Sequence, residues 1–342
     1  MEYQVPEPYR PYVKREKTFF GFPTFTPLDL FEPPFARVEQ LVESQFALLL
    51  SHLGLPPDIY TKFRADIRNN RPAGDDNETQ WRDKLKEMMT NHPEFEKRKE
   101  QLLMDRAKSA AMRLSEKMNL FLEEEQICLL DYGCGQGLIA TELVRLGQLS
   151  ITEIQLRDLK KILHPTVNDM LVNNLQQVPV YFDLVEHETH DVTRGSRPNL
   201  ALLHTVLHHD EAPIDVLTRC IDHFSRQPGW IMVVESCIGV REEHLLNWPK
   251  HRLKNNSWNK AFYELNTDEQ IMYSIFFDWI YSKILNDNIA IPCVFNSPEG
   301  WKKVLNKRDD LELKEYYLEG LTHVCSPSFH AVFFLRYLGN QS

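Results

Sequence analysis

Residues Leu129 to Gly137 read LLDYGCGQG, with three glycines at alternate positions directly behind an apolar run. The residues before them, ICLLD, have the pattern of a short buried strand, and LIATELVRLGQ after them has helical spacing. Glycines at such a turn let a ligand approach the backbone, and the helix start offers unpaired N–H groups. Two familiar uses do not fit. A phosphate-cradling P-loop ends in Gly-Lys-Ser/Thr, whereas Gly137 is followed by Leu138 and Ile139. The dinucleotide fingerprint spaces its glycines G-x-G-x-x-G, whereas Gly133, Gly135 and Gly137 are spaced G-x-G-x-G behind Asp131.

Downstream, strand and helix signals alternate. ITEIQLRDL, PVYFDLV, NLALLHTV and WIMVVES have strand character, and TVNDMLVNNLQQ and APIDVLTRCIDHFSR have helical character. This predicts an α/β fold with a doubly wound, mostly parallel sheet and crossover helices. After Ser236 the alternation stops, and TDEQIMYSIFFDWIYSKILND predicts a helix opened by a capping box from Thr267 to Gln270. SPEGWKKVLNK predicts another helix, with Ser297 as N-cap and Pro298 in the first turn. LELKEYYLEG and SFHAVFFLRYL close the chain as two strands with no helix between them, hence an antiparallel hairpin at the sheet edge.

Upstream, residues 1–35 are rich in Pro and aromatic side chains, which predicts an extended arm packed on the body of the protein. Residues 36–122 predict a helical segment; Val38, Leu41, Val42, Phe46, Leu49 and Leu50 form one apolar stripe of its first helix. The remainder, 123–338, is the alternating domain, with a helical insertion at 238–296.

The chain has 342 residues and a formal net charge of −10, which argues against a general phosphate-binding surface and hence against nucleic acid as a partner. No apolar run reaches the ~20 residues of a membrane span, and the first residues lack the apolar core of a signal peptide. Cys128, Cys134, Cys220, Cys237, Cys293 and Cys325 are scattered without a C-x-x-C pair. They predict reduced thiols in a cytoplasmic protein.

The pattern D-x-G-x-G-x-G at the end of a first strand resembles motif I of class I S-adenosylmethionine-dependent methyltransferases. The resemblance implies a seven-stranded sheet ending in an antiparallel hairpin, and S-adenosyl-L-methionine as cofactor. It implies that Asp131, Gly133, Gly135 and Gly137 face the amino-acid part of that cofactor. An acid at the end of the second strand would hold the ribose hydroxyls; Asp158, 21 residues beyond Gly137, matches better than Glu153. A further acid near the adenine would be Asp191. VLHH in the fourth strand and GWIMVVE in the fifth resemble the family's segments there, with His204 beside the cofactor. Motif by motif the resemblance covers about residues 120–237.

LLHTVLHHDEAP gathers His204, His208, His209 and Asp210 at the carboxyl end of the fourth strand, the edge where open α/β sheets bind ligands. Three readings stand. LHH is a structural turn; or His208 is a general base, as in the O-methyltransferases that carry LHDW here, with His209 beside it; or His209 and Asp210 join a distant His244 or His251 around a metal, as in some related C-methyltransferases. In LHDW the residues after His are Asp and Trp, whereas here they are His209 and Asp210. A neutral histidine suits proton transfer near pH 7. The family implies a substrate lid at the insertion, whose aromatic stripe of Tyr273, Phe276, Phe277, Ile280 and Ile284 reads chiefly as core. The expected acceptor is a small organic molecule, with oxygen as one acceptor atom. A protein or RNA acceptor, a metal-assisted C-methylation and a scaffold without turnover are the alternatives. The N-terminal helices are a candidate homodimer surface, as in the O-methyltransferases.

Overall fold

The computed structural model describes the chain except for residues 1–3, 16–19, 72–76, 123–125, 160–162, 174–177, 185–194, 242–256, 287–293, 322–327 and 340–342. At its centre is a seven-stranded sheet of order β3-β2-β1-β4-β5-β7-β6. The strands are β1 (Ile127–Tyr132), β2 (Ile151–Asp158), β3 (Val180–Leu184), β4 (Leu200–His204), β5 (Gly229–Ser236), β6 (Leu311–Glu319) and β7 (His330–Tyr337). β1 to β5 pair in parallel, and β7 runs antiparallel between β5 and β6. This is the mostly parallel sheet with a terminal antiparallel pair that the alternation predicts. The order reverses between β1 and β4, so a crevice opens beyond their carboxyl ends.

Both faces of the sheet are covered, which is why its central strands are apolar throughout rather than alternating. Leu130 and Tyr132 of β1, with Ala201 and Leu203 of β4, point into one core; Ile127 and Leu129, with Leu200 and Leu202, point into the other. The second core is closed by the end of α4 (Phe95–Met118), α5 (Leu138–Leu146) and α6 (Pro165–Asn173). The first holds α7 (Pro213–Asp222), the N-terminal arm, α1 (Ala36–His52), α2 (Asp58–Asn70), α3 (Glu78–Thr90) and the insertion.

The arm is not extended. It forms three 3-10 turns, Glu7–Tyr12, Pro27–Phe31 and Pro33–Phe35, each entered through a proline whose fixed φ suits a first turn. Its rings are structural. Phe31 meets Phe276 at 6.1 Å between centroids, and Phe63 of α2 stacks on Trp279 at 6.4 Å. The α1 stripe is likewise consumed within the chain, since Val38, Leu41, Val42, Phe46, Leu49 and Leu50 are all buried.

The described insertion comprises α8 (Ser257–Glu264), α9 (Thr267–Trp279) and a π-helical continuation, Ile280–Leu285; α10 (Pro298–Leu305) follows, capped by Ser297 as expected. The capping box of α9 lies one residue earlier than Thr267 and Gln270. The Asn266 side chain accepts the Glu269 N–H at 3.0 Å, and the Glu269 carboxylate accepts the Asn266 N–H at 2.8 Å. Asn outranks Thr as an N-cap. Gln270 instead turns inward. Its Nε2 donates to the carbonyls of Val240, Phe262 and Leu265, and its Oε1 accepts the Val240 N–H at 3.0 Å. The buried amide thus ties the start of the insertion to its two helices. Replacing it by a carbon isostere strands several buried backbone groups, so Gln270→Leu should cost about 3 kcal/mol in chemical denaturation; a change below about 0.5 kcal/mol would contradict this.

Candidate functional site

The turn after β1 is built from left-handed backbone. Gly133, Gly135 and Gly137 have φ of +75°, +52° and +73°. The loop is held to β2 by the Arg157 carbonyl, which accepts from Gly133 N at 2.7 Å and Cys134 N at 3.0 Å. A Cβ on Gly133 would lie 2.6 Å from a Val206 methyl, and one on Gly137 would press on Val167, Leu156 and Leu163 at 3.0 to 3.3 Å. A Cβ on Gly135 would meet nothing within 4 Å. Two glycines therefore let the loop settle onto the protein, and the middle one faces open space.

Two carboxylates stand at this loop. Asp158, at the end of β2, accepts the Gly135 N–H at 2.7 Å. Asp131, at the end of β1, is only 3% exposed, and its carboxylate takes no hydrogen bond among the described residues. Burial, then the neighbouring Asp158 charge, pushes its pKa from an ordinary 3.8 up to about 7. Glu153 is not available to a ligand in the same way. It is buried and accepts from Ser196 N at 2.9 Å and Gln155 Nε2 at 2.8 Å. Asp191, His244 and His251 lie outside the described residues.

Across the crevice, β4 ends in a left-handed Thr205, φ +57°, a conformation a β-branched residue adopts only when its surroundings impose it. The fully buried Glu235 at the end of β5 imposes it. Its Oε1 accepts from Val206 N at 2.9 Å and Leu207 N at 2.6 Å, and its Oε2 pairs with His208 Nδ1 at 2.7 Å. His208 is thereby fixed in a short 3-10 turn, Leu207–His209, with Nε2 directed at Asp278 Oδ1, 3.8 Å away. The half-buried His209 lies beside it, ring centroids 4.1 Å apart, with Nε2 4.0 Å from the same oxygen.

These contacts revise the role expected of His208. Burial alone lowers its pKa, but the carboxylates of Glu235 and Asp278 outweigh burial and raise it to about 10. The two acids therefore favour its protonated form, which argues against His208 as a proton acceptor. His204 is opposite in character. Burial, with the guanidinium groups of Arg113 and Arg106, pushes its pKa down to about 3 and keeps it neutral. Asp210 is not part of the cluster, since it accepts the Ala212 N–H at 2.7 Å and pairs with Arg219. The acid that does join the two histidines is Asp278, in the last turn of α9. The signal for it was a lone acid inside the apolar run SIFFDWIY.

The insertion reaches both sides of the crevice. Gln136 of the glycine loop donates to Asn286 at 3.0 Å, and Val294 N donates to the His208 carbonyl at 3.1 Å. Arg106 of α4 lies 3.8 Å over the Tyr281 ring, so the N-terminal helices meet the insertion here as well.

No protein-family model matches the chain, and no curated protein does. Solved structures are similar to it. "The structure of LepI complex with SAM" is 15% identical, with a TM-score of 0.37, over 65% of this chain and 46% of that one. Magnesium protoporphyrin IX methyltransferase (ChlM) from Synechocystis PCC 6803 with bound SAH is 8% identical, with a TM-score of 0.40, over 67% and 82%. TnmH is 14% identical, with a TM-score of 0.42, over 91% and 72%. This chain thus spans less than half of the LepI chain it matches.

The two glycine environments predict different costs. Gly133→Ala adds a clash with Val206 to the left-handed penalty and should destabilise by about 3 kcal/mol. Gly135→Ala should cost only the backbone term, about 1 kcal/mol. Equal losses in denaturant titrations would contradict the assigned packing.

Proposed function

We propose that the chain is a class I S-adenosylmethionine-dependent methyltransferase that methylates a small organic molecule. The observation that carries this reading is the carboxylate pair beneath the glycine loop. Asp131 is an almost buried acid without a hydrogen bond among the described residues, beside Asp158, which accepts the N–H of the open-faced Gly135. Such a loop repels phosphate and attracts a cation. S-adenosylmethionine is a nucleoside cofactor with an ammonium and a sulfonium and no phosphate. In this reading Gly133 and Gly137 shape the loop and Gly135 backs the methionine portion. Asp131 faces its ammonium, Asp158 the ribose hydroxyls and Asp191 the adenine. His204, neutral at the end of β4, adds no positive charge near the sulfonium.

The cofactor would supply a methyl group already activated on sulfur, so the chain's own task is positioning and exclusion of water. Gln136 and Asn286 join the loop to the insertion, which would place the acceptor between the cofactor and the insertion. In a metal-free chain the half-buried His209, beside the carboxylate-paired His208, is the candidate to receive an acceptor's proton, which suits an oxygen acceptor. A net charge of −10 suits a small acceptor better than nucleic acid. The proposed compartment is the cytoplasm, in keeping with four described cysteines that form no disulfide. No described helix is long and apolar enough to cross a membrane.

Calorimetric titration with S-adenosylmethionine or its demethylated product should show one site per chain, and Asp158→Ala should weaken it at least about tenfold. No binding to the wild-type protein would sink the reading. Asp131 adds a signed pH dependence. Its folded-state pKa, about 7, lies above the ordinary 3.8, so its contribution to stability is full below 3.8 and declines as pH rises towards 7. A bound cation favours the ionised acid, so binding should release a proton and strengthen between about pH 5.5 and 7. Asp131→Asn should flatten both the stability slope and the affinity slope. A wild-type affinity independent of pH over that range would contradict the role given to Asp131.

A further inference from the structure

The arrangement around His208 has more order than a structural turn or a proton acceptor requires. His208, His209 and Asp278 each offer one ligand atom, and the three atoms lie within 4.8 Å of one another. Nitrogen donors bound at ~2.1 Å around a tetrahedral ion sit roughly 3.4 Å apart, so a contraction of about an ångström would bring the three onto one ion. Two separations, 3.8 and 4.0 Å, are already close to that.

Three further observations point the same way. First, Glu235 engages His208 through Nδ1, at 2.7 Å, which leaves Nε2 as the atom directed at the cluster. A carboxylate on the far nitrogen is how proteins orient and strengthen a histidine ligand. Second, Asp278 is spent by half. Its Oδ1 accepts from Ser282 at 3.3 Å, whereas its Oδ2 is buried and has no hydrogen-bond partner. A buried carboxylate oxygen left without a partner costs stability unless something cationic occupies its lone pairs. Third, the α-helical pattern gives way to a π-helix at Ile280–Leu285, immediately after Asp278. Such widened turns recur at functional sites, where they set a side chain at an angle a regular helix does not provide.

We propose that His208 Nε2, His209 Nε2 and the Asp278 carboxylate form a site for one divalent transition-metal ion, oriented by Glu235. Two imidazoles and one carboxylate suit zinc or ferrous iron rather than magnesium or calcium, which prefer oxygen ligands. Three protein ligands leave coordination positions open. An anionic oxygen of a small acceptor would be the ligand for such a position. The site does not depend on which group the enzyme transfers.

The test uses the full chain, freed of metal by a chelator and without cofactor. Titration with zinc chloride, and with cobalt chloride read by its visible absorption bands, should give one ion per chain. Asp278→Asn and His209→Gln should each weaken binding about tenfold or more. His209 is on the rim of the cluster, so its variant keeps the test informative if the buried Asp278 variant misfolds. Absence of stoichiometric binding by the wild-type chain would overturn the site, as would binding unchanged in a folded His209→Gln variant. Because no cofactor is present, either failure leaves the methyl-transfer reading to its own test.

Discussion

The hydrogen bond from Gly135 N–H to Asp158 joins the ends of the first two strands, and it does so beside a second acid that has no such partner. A backbone donor stabilises one carboxylate, and that charge, together with burial, makes the other expensive to ionise. Asp131 is therefore held near its titration point at neutral pH. A proton on Asp131 relieves that cost, and a positive ligand beside it would relieve it as well. The glycine loop follows β1, one of the two strands that flank the crevice at the switch point. Perturbed acids gather where ligands bind, and here the sign of the perturbation also selects the ligand's charge.

The opposite wall obeys a different constraint. Glu235 is fully buried and spends its two oxygens on Val206 N, Leu207 N and His208. The Val206 side chain then fills the volume that a side chain on Gly133 would need. The turn after β4 and the loop after β1 are thus fitted to each other, and neither could be altered alone. The insertion locks onto both through Asn286 and Val294, and its own helices are held by Gln270. A helical appendage is in this way built into the crevice rather than set beside it.

Much of this was legible in the sequence because it follows from local rules. The mostly parallel sheet, the terminal antiparallel pair and the Ser297 cap come from period, spacing and residue chemistry near in sequence, and Asp131 and Asp158 from the resemblance carried by D-x-G-x-G-x-G. What was not legible depends on contacts between distant residues. Asp278 is brought to His208 by α9, which packs on the N-terminal arm through Phe31 and Phe276 and on α2 through Phe63 and Trp279. Asp210, the adjacent acid, was the natural sequence choice, yet it accepts the Ala212 N–H just before α7 and meets Arg219. The charge state of His208 was equally hidden, since it depends on Glu235, 27 residues away, and on Asp278. The arm was misread as extended because proline argues against α-helix but does not forbid short 3-10 turns.

In the proposed function the carboxylate pair and the open face of Gly135 hold the amino-acid end of a cationic nucleoside cofactor. A crystal structure of the chain with S-adenosylhomocysteine tests it most directly. The account predicts the ligand's ammonium within hydrogen-bond reach of Asp131, its ribose at Asp158 and its sulfur facing the histidine turn. Ligand bound elsewhere, or its amino-acid end turned away from Gly135, would contradict it.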